Sequence, residues 1–313
     1  MKKNESSLRI ISLLPSATEI VAELGYIKNI VGRSHECDYP AAANEVPICT
    51  STRIFPERSS KEIHDDMQNL FESAISIFEV NKEKISKLNP THIITQDQCE
   101  ECSISIEYLQ SALATFLKKE ISIVSLNPSR LGDVWADIRK VGEILGPKGK
   151  SKADLCTHKI TRKIVQIAMK SQAIDIQPKR VAIIEWIDPL IAAGNWVPEL
   201  VAIAGGENIF TRPGQPSRRI TLDEILEKDP DVIIFAPCSF SLEKSYIESH
   251  QTITCNSWKN LRAVKTNECF AVDGNAHINR SGPRLFQSIE IISEILNQEM
   301  FNFGHNKNSW HRI

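Results

Sequence analysis

Thiols, imidazoles and carboxylates gather in a few short segments of this 313-residue chain. One segment reads Arg33-Ser34-His35-Glu36-Cys37-Asp38-Tyr39-Pro40, and another reads Gln96-Asp97-Gln98-Cys99-Glu100-Glu101-Cys102. Two thiolates spaced as Cys99 and Cys102 can share a Zn²⁺ or close a disulfide. His35 and Cys37 would complete a Cys₃His set for zinc or iron if the two segments meet. The alternative is that one CxxC, with no second well-spaced ligand pair, is only two cysteines. Cys156 and Cys255 have no such surroundings and read as small buried hydrophobes.

The second half carries Glu185-Trp186-Ile187-Asp188-Pro189, Ala236-Pro237-Cys238-Ser239-Phe240 and Asp273-Gly274-Asn275-Ala276-His277. Trp186 and Trp196 flank a Gly/Pro loop, where each ring either covers a flat ligand or packs its own loop. Arg280 faces an anionic ligand group or makes a surface ion pair. Trp135 reads as core and His64 as solvated. The phosphate-binding, nucleophile-elbow and zinc-protease signatures are missing: there is no GxGxxG after a strand, no P-loop, no GxSxG and no HExxH. His35 and Glu36 share a loop, yet nothing pairs them into an acid–base mechanism, so no catalytic residue is assigned.

These segments matter because of the elements that precede them. Short apolar strands run over 9–13, 29–34, 92–95, 121–126, 180–184, 232–235 and 269–272, with amphipathic helical stretches between them. A capping box is read at Ser16–Glu19, a helix start at Ser59–Glu62 and a capped helix start at Thr221–Glu224. Alternating strands and helices imply parallel sheets covered on both faces, and in such sheets ligands bind beyond the carboxyl ends of the strands. Every segment quoted above follows a predicted strand.

Two stretches recur in the same order. Arg9-Ile-Ile-Ser-Leu13 parallels Arg180-Val-Ala-Ile-Ile184, and Ile85-Ser-Lys-Leu-Asn-Pro-Thr-His-Ile-Ile94 parallels Ile225-Leu-Glu-Lys-Asp-Pro-Asp-Val-Ile-Ile234. This predicts two similar α/β lobes, 1–128 and 174–313. Between them, 129–173 keeps a helical period interrupted at Gly146-Pro147-Lys148-Gly149, and reads as a helical connector. The tail beyond Phe301 is polar and is expected to be mobile at its end.

A net charge of −2, with 24% charged and 42% hydrophobic residues, removes the electrostatic basis for binding nucleic acid or an anionic membrane. No apolar run reaches the roughly 18 residues of a spanning helix, so no membrane insertion is expected. Lys2 and Lys3 precede Leu8–Leu14, but Arg9, Ser12 and Pro15 interrupt that stretch and no cleavage site follows. As written, the chain is expected in the cytoplasm; with an export signal removed it would be periplasmic or membrane-associated.

Arg9-Ile-Ile-Ser-Leu-Leu-Pro-Ser-Ala-Thr-Glu-Ile20, Gly205-Gly-Glu-Asn-Ile-Phe210 and Leu222-Asp-Glu-Ile-x5-Pro-Asp-Val-Ile-Ile234 resemble the vitamin B12- and ferric-siderophore-binding components of ABC importers, over about Arg9 to Leu296. Ser34-His-Glu-Cys-Asp-Tyr-Pro40 and Gln96-Asp-Gln-Cys-x-x-Cys102 look closest to the cobalamin-binding branch. The resemblance implies the type III binding-protein fold, two Rossmann-like lobes with parallel sheets on a long helical connector. It implies non-catalytic binding of cobalamin or a related metal chelate in a cleft between the lobes, with an importer permease as partner. The ligand-binding positions are then His35, Glu36, Tyr39, Gln96, Asp97, Glu185, Trp186, Trp196, Cys238, His277 and Arg280. In that reading the tryptophans stack on the ligand, His35 or His277 approaches its metal, and Arg280 meets its polar groups. A cytoplasmic metal-site or redox enzyme that reuses the fold, with the Cys/His loops as its site, is the competing expectation.

Overall fold

The computed structural model describes residues 8–73, 75–96, 121–173 and 177–313. They form two compact units, neither continuous in sequence. The first draws on Met1–Phe55, Met67–Pro128 and Gly132–Lys159, and the second on Pro56–Asp66, Ser129–Leu131 and Ile160–Ile313. Residues 56–66, read from the sequence as part of the first lobe, thus cluster with the second, and the stretch read as a connector is shared between the two.

In the first unit the strands are β1 (Ile10–Ser12), β2 (Ile30–Arg33), β3 (Thr50–Thr52), β4 (Phe78–Val80), β5 (His92–Gln96) and β6 (Ser122–Leu126). A parallel sheet runs β2-β1-β5-β6, and β3 and β4 form a separate antiparallel ribbon. Ile11, Leu13, Cys49, Ile85 and Ile93 pack into one core. The helix after β1, Pro15–Glu23, departs from the expected capping box. Pro15 takes the first turn, Leu14 is the N-cap and supplies no side-chain bond, and Ser16 lies inside the helix. Proline at that position gives up no needed hydrogen bond and presets the helical φ. The helix stops at Gly25, whose φ of +77° suits glycine.

In the second unit the strands are β7 (Lys179–Trp186), β8 (Ile191–Ala192), β9 (Gly206–Asn208), β10 (Arg218–Arg219), β11 (Val232–Phe235), β12 (Cys269–Val272) and β13 (Trp310–Arg312). Their order is β10-β8-β7-β11-β12-β13, with β9 also on β7; β7, β11 and β12 are mutually parallel. Thr221 and Glu224 cap the expected helix start with a capping box. The polar tail, read as mobile, is instead an edge strand, with β13 antiparallel to β12. The buried Glu294 carboxylate holds it, accepting from the Trp310 indole N–H at 2.8 Å and from the backbone N–H groups of Phe303, Gly304 and His305.

The repeated sequence stretches fold alike down to single hydrogen bonds. Helices Lys82–Leu88 and Leu222–Lys228 both end on a left-handed residue, Asn89 at φ 46° and Asp229 at φ 40°. Asn and Asp tolerate that conformation better than most residues. The following strands pair in the same register, Ile10 opposite His92 and Val181 opposite Val232. Arg9 N donates to Thr91 Oγ1 at 3.0 Å and Arg180 N to Asp231 Oδ2 at 2.8 Å. The arginine side chains then reach the capping carbonyls, Arg9 at Leu88 and Asn89, Arg180 at Asp229.

The interrupted helical stretch resolves into Leu131–Ile144 and Pro147–Gln172, broken at Gly146 with φ +93°. The two helices touch backbone to backbone, since a Cβ on Gly149 would stand 2.6 Å from Gly142 O. Among the described residues, no helix is long and apolar enough to cross a membrane.

Candidate functional site: the carboxyl ends of the parallel strands

Each unit presents its chemistry-bearing side chains on the last residues of its parallel strands and in the loops that leave them. Glu185 and Trp186, read from the sequence as loop residues, still belong to β7. In the first unit, Arg33 ends β2 and is buried. Its guanidinium donates to the carbonyls of Val46, Ser34 and Cys37, which folds the loop back on itself. That fixes His35 beyond the strand end. The His35 backbone N–H donates to Thr50 Oγ1 at 3.1 Å, and its Nδ1 lies 2.8 Å from the same hydroxyl. Burial, with the Arg33 charge adding to it, pushes the imidazole pKa below its ordinary value, so the ring is neutral near pH 7. In the tautomer whose Nδ1–H donates to Thr50, Nε2 keeps the lone pair that a metal centre accepts. Glu36 and Gln96 are half-buried nearby in sequence and at the end of β5, and Tyr39 is 46% exposed.

In the second unit β7 delivers Glu185 and Trp186, both half-buried. The Trp186 N–H donates to Asp188 O at 3.1 Å, and its ring meets the buried Phe240 ring edge-on at 5.4 Å. An indole fixed at two points, with part of its surface open, can stack on a flat ligand at little entropic cost. The half-buried Cys238 follows β11, its N–H bonded to Glu185 O. The loops after β11 and β12 meet at Gly274, where an added Cβ would stand 2.0 Å from Pro237 O. Asn279 ties them together, donating to Ala236 O and Gly274 O. Replacing Gly274 with alanine is therefore expected to force the loops apart and cost about 1–3 kcal/mol, read as a lowered urea midpoint. Arg280 is buried and donates to Asn275 Oδ1 at 2.8 Å.

Besides Arg280, two more residues expected to meet ligand, Trp196 and His277, are buried. Trp196 is 5% exposed, and its N–H donates to Ile278 O at 2.8 Å, so its ring belongs to the interior. His277 is buried with Nε2 3.1 Å from Ser309 Oγ, while Nδ1 has no hydrogen-bond partner among the described residues. Burial pushes its pKa from 6.5 down to about 3, with Arg284, His305 and Arg280 acting in the same direction. Below pH 6.5 the unfolded chain takes up a proton that the folded chain refuses, so stability falls as the pH drops from about 6.5 towards 3. Asp137 acts oppositely: burial raises its pKa to about 6, and its contribution is lost as the pH rises through that value. His277→Gln is accordingly expected to flatten the acid limb of a urea-midpoint profile measured from pH 4 to pH 8. A steep limb retained in that variant would contradict the assignment.

The metal expectation finds no support among the described residues. They contain no group of three His, Cys, Asp or Glu residues able to hold an ion, and none of their cysteines forms a disulfide. Asp97, Cys99 and Cys102 lie outside the described residues. The Cys37 thiol is fully buried, directed at Ser12 O at 3.8 Å. Cys156 is buried as expected, but Cys255 is exposed, its thiol resting on Gln251 O at the end of its helix. Sequence reasoning missed Thr50, which orients His35, and gave Phe240 no part in seating Trp186. Neither has a local signal, because each acts across strands distant in sequence.

The sequence profile described as periplasmic binding protein matches residues 10–276. The chain is 24% identical over 294 residues to the vitamin B12-binding protein of Vibrio parahaemolyticus serotype O3:K6, covering 93% of this chain and 90% of that protein. It is 23% identical over 300 residues to the ABC transporter substrate-binding lipoprotein YvrC of Bacillus subtilis, covering 94% and 81%. Among solved structures, the periplasmic vitamin B12 binding protein BtuF of Vibrio cholerae superposes with a TM-score of 0.66 at 22% identity, over 92% of this chain and 96% of that one. A periplasmic heme binding protein from Pseudomonas aeruginosa gives 0.69 at 17%, over 93% of each chain. These names place relatives in the periplasm or on a lipid anchor and lend nothing to the cytoplasmic expectation. A match over most of the chain, on a fold shared with these structures, establishes that this chain belongs to the periplasmic binding protein family.

Proposed function

We propose that this protein is the substrate-binding component of an importer and holds a flat metal chelate, a corrinoid or a haem, at its strand-end loops. It binds and hands on its cargo without a covalent step. The observation that carries the reading is the placement of Trp186 at the end of β7: half-buried, its N–H on Asp188 O and its edge on Phe240. An aromatic surface fixed in this way suits a conjugated macrocycle better than a small polar solute. His35 is the candidate donor to the chelated metal, because the neutral ring held by Thr50 has one nitrogen left to offer. Relatives named for vitamin B12 and for heme support the ligand class, and a relative named as an ABC transporter substrate-binding lipoprotein supports a permease partner.

Absorbance spectra of the reduced protein titrated with hydroxocobalamin, and separately with hemin, test the assignment. Binding is expected to shift the spectrum of one of them, and His35→Ala is expected to remove the shift while retaining weaker binding. A bound ligand with an identical spectrum in wild type and His35→Ala would take the metal contact away from His35.

A further inference from the structure

Residues 56–66 lie between two stretches of the first unit, yet they cluster with the second. Little apolar burial accounts for this. Pro56, Glu57, Arg58, Lys61 and Glu62 are exposed, and Ile63 is the strap's buried aliphatic side chain. Polar contacts do the holding. The Arg219 guanidinium donates to Nε2 of His64, the imidazole read as solvated, at 2.8 Å, and the helix Leu242–Thr254 supplies the others. The Lys244 ammonium donates to Pro56 O at 2.6 Å and to Arg58 O. Glu248, one turn on and so on the same helical face, accepts Ser60 N at 3.1 Å with each carboxylate oxygen. Ser60 begins the helix Ser60–Glu72, where backbone N–H groups lack helical partners and the helix dipole favours an anion.

The same lysine reaches the candidate site. Its Nζ lies 3.5 Å from the centroid of the Phe240 ring, the ring that meets Trp186. One continuous line of contacts runs from Trp186 through Phe240 and Lys244 to the carbonyls of Pro56 and Arg58. We propose that residues 56–66 form a strap latched by Lys244 and Glu248, and that a contact made at Trp186 tightens or slackens this latch through Phe240. The latch stands on its own geometry, whereas its response to cargo rests on the binding role proposed for Trp186. A segment held chiefly by a few polar contacts opens locally at low cost, so losing one contact changes its exposure strongly.

Hydrogen exchange by mass spectrometry on the full chain tests both parts. Lys244→Met and Glu248→Gln are each expected to speed exchange over 59–64 about tenfold, the effect of losing a charge-assisted hydrogen bond. Exchange in the core helix Leu285–Leu296 should stay unchanged and reports that the fold is intact. Unchanged exchange over 59–64 in both variants would overturn the latch. Trp186→Ala without any ligand should also speed exchange over 59–64, and no effect there would overturn the coupling. If neither hydroxocobalamin nor hemin binds the wild type, the proposed cargo is wrong, while the three variants still decide the strap.

Discussion

Trp186→Ala is expected to weaken hydroxocobalamin or hemin binding about ten- to hundredfold, the usual cost of removing an aromatic anchor from a binding surface. It should leave global stability close to wild type, because the ring is only half-buried and its N–H bond is to its own loop. Trp196→Ala should behave in the opposite way. That ring is 5% exposed with its N–H on Ile278 O, so truncation leaves a cavity and an unpaired carbonyl. A loss of about 3–5 kcal/mol is expected from urea unfolding. The two tryptophans flank one loop and have the same side chain, so the pair separates a ligand-contacting indole from a packing one. Equal stability losses in both variants would contradict the division.

Glu294→Ala is expected to be the most destabilising of the polar substitutions, at about 3–5 kcal/mol. The carboxylate is 3% exposed and serves four donors from the tail: three backbone N–H groups and the Trp310 indole. Alanine strips all four of their acceptor, and the indole N–H of the buried Trp310 is left inside the protein, where water cannot replace it. The tail should then detach from β12, which fast exchange over 303–312 would report. Glu294→Gln, which keeps one acceptor oxygen, should lose less. A Glu294→Ala protein with wild-type stability and a protected tail would show that the carboxylate is not what holds β13.

The architecture was legible where local chemistry decides it. Asn-Pro and Asp-Pro at matching places in the repeated stretches suit a helix stop, and both helices end there, on Asn89 and Asp229 in the left-handed conformation. The same periodicities place His35 and Cys238 in loops, as found. Gln96 and Trp186, read as loop residues, are instead the last residues of β5 and β7, which run one and two residues further than the apolar pattern. What stayed hidden depends on partners far away in sequence. Trp196 reads like Trp186 until the Ile278 carbonyl, 82 residues on, is seen to take its N–H. The tail looks unstructured because its anchor, Glu294, is one carboxylate among 39 acidic residues. Ser16–Glu19 fits a capping box in letters, but Pro15 starts the helix two positions earlier than an N-cap at Ser16 would and moves Ser16 inside. The strap is invisible in sequence because Lys244 and Glu248 grip backbone atoms, which every residue possesses.

Isothermal titration of the reduced, metal-analysed protein with hydroxocobalamin and with hemin tests the central claim most directly. The account predicts saturable one-to-one binding of one of these chelates, weakened in Trp186→Ala. Heats that never saturate for either chelate, in protein that unfolds cooperatively, would contradict it.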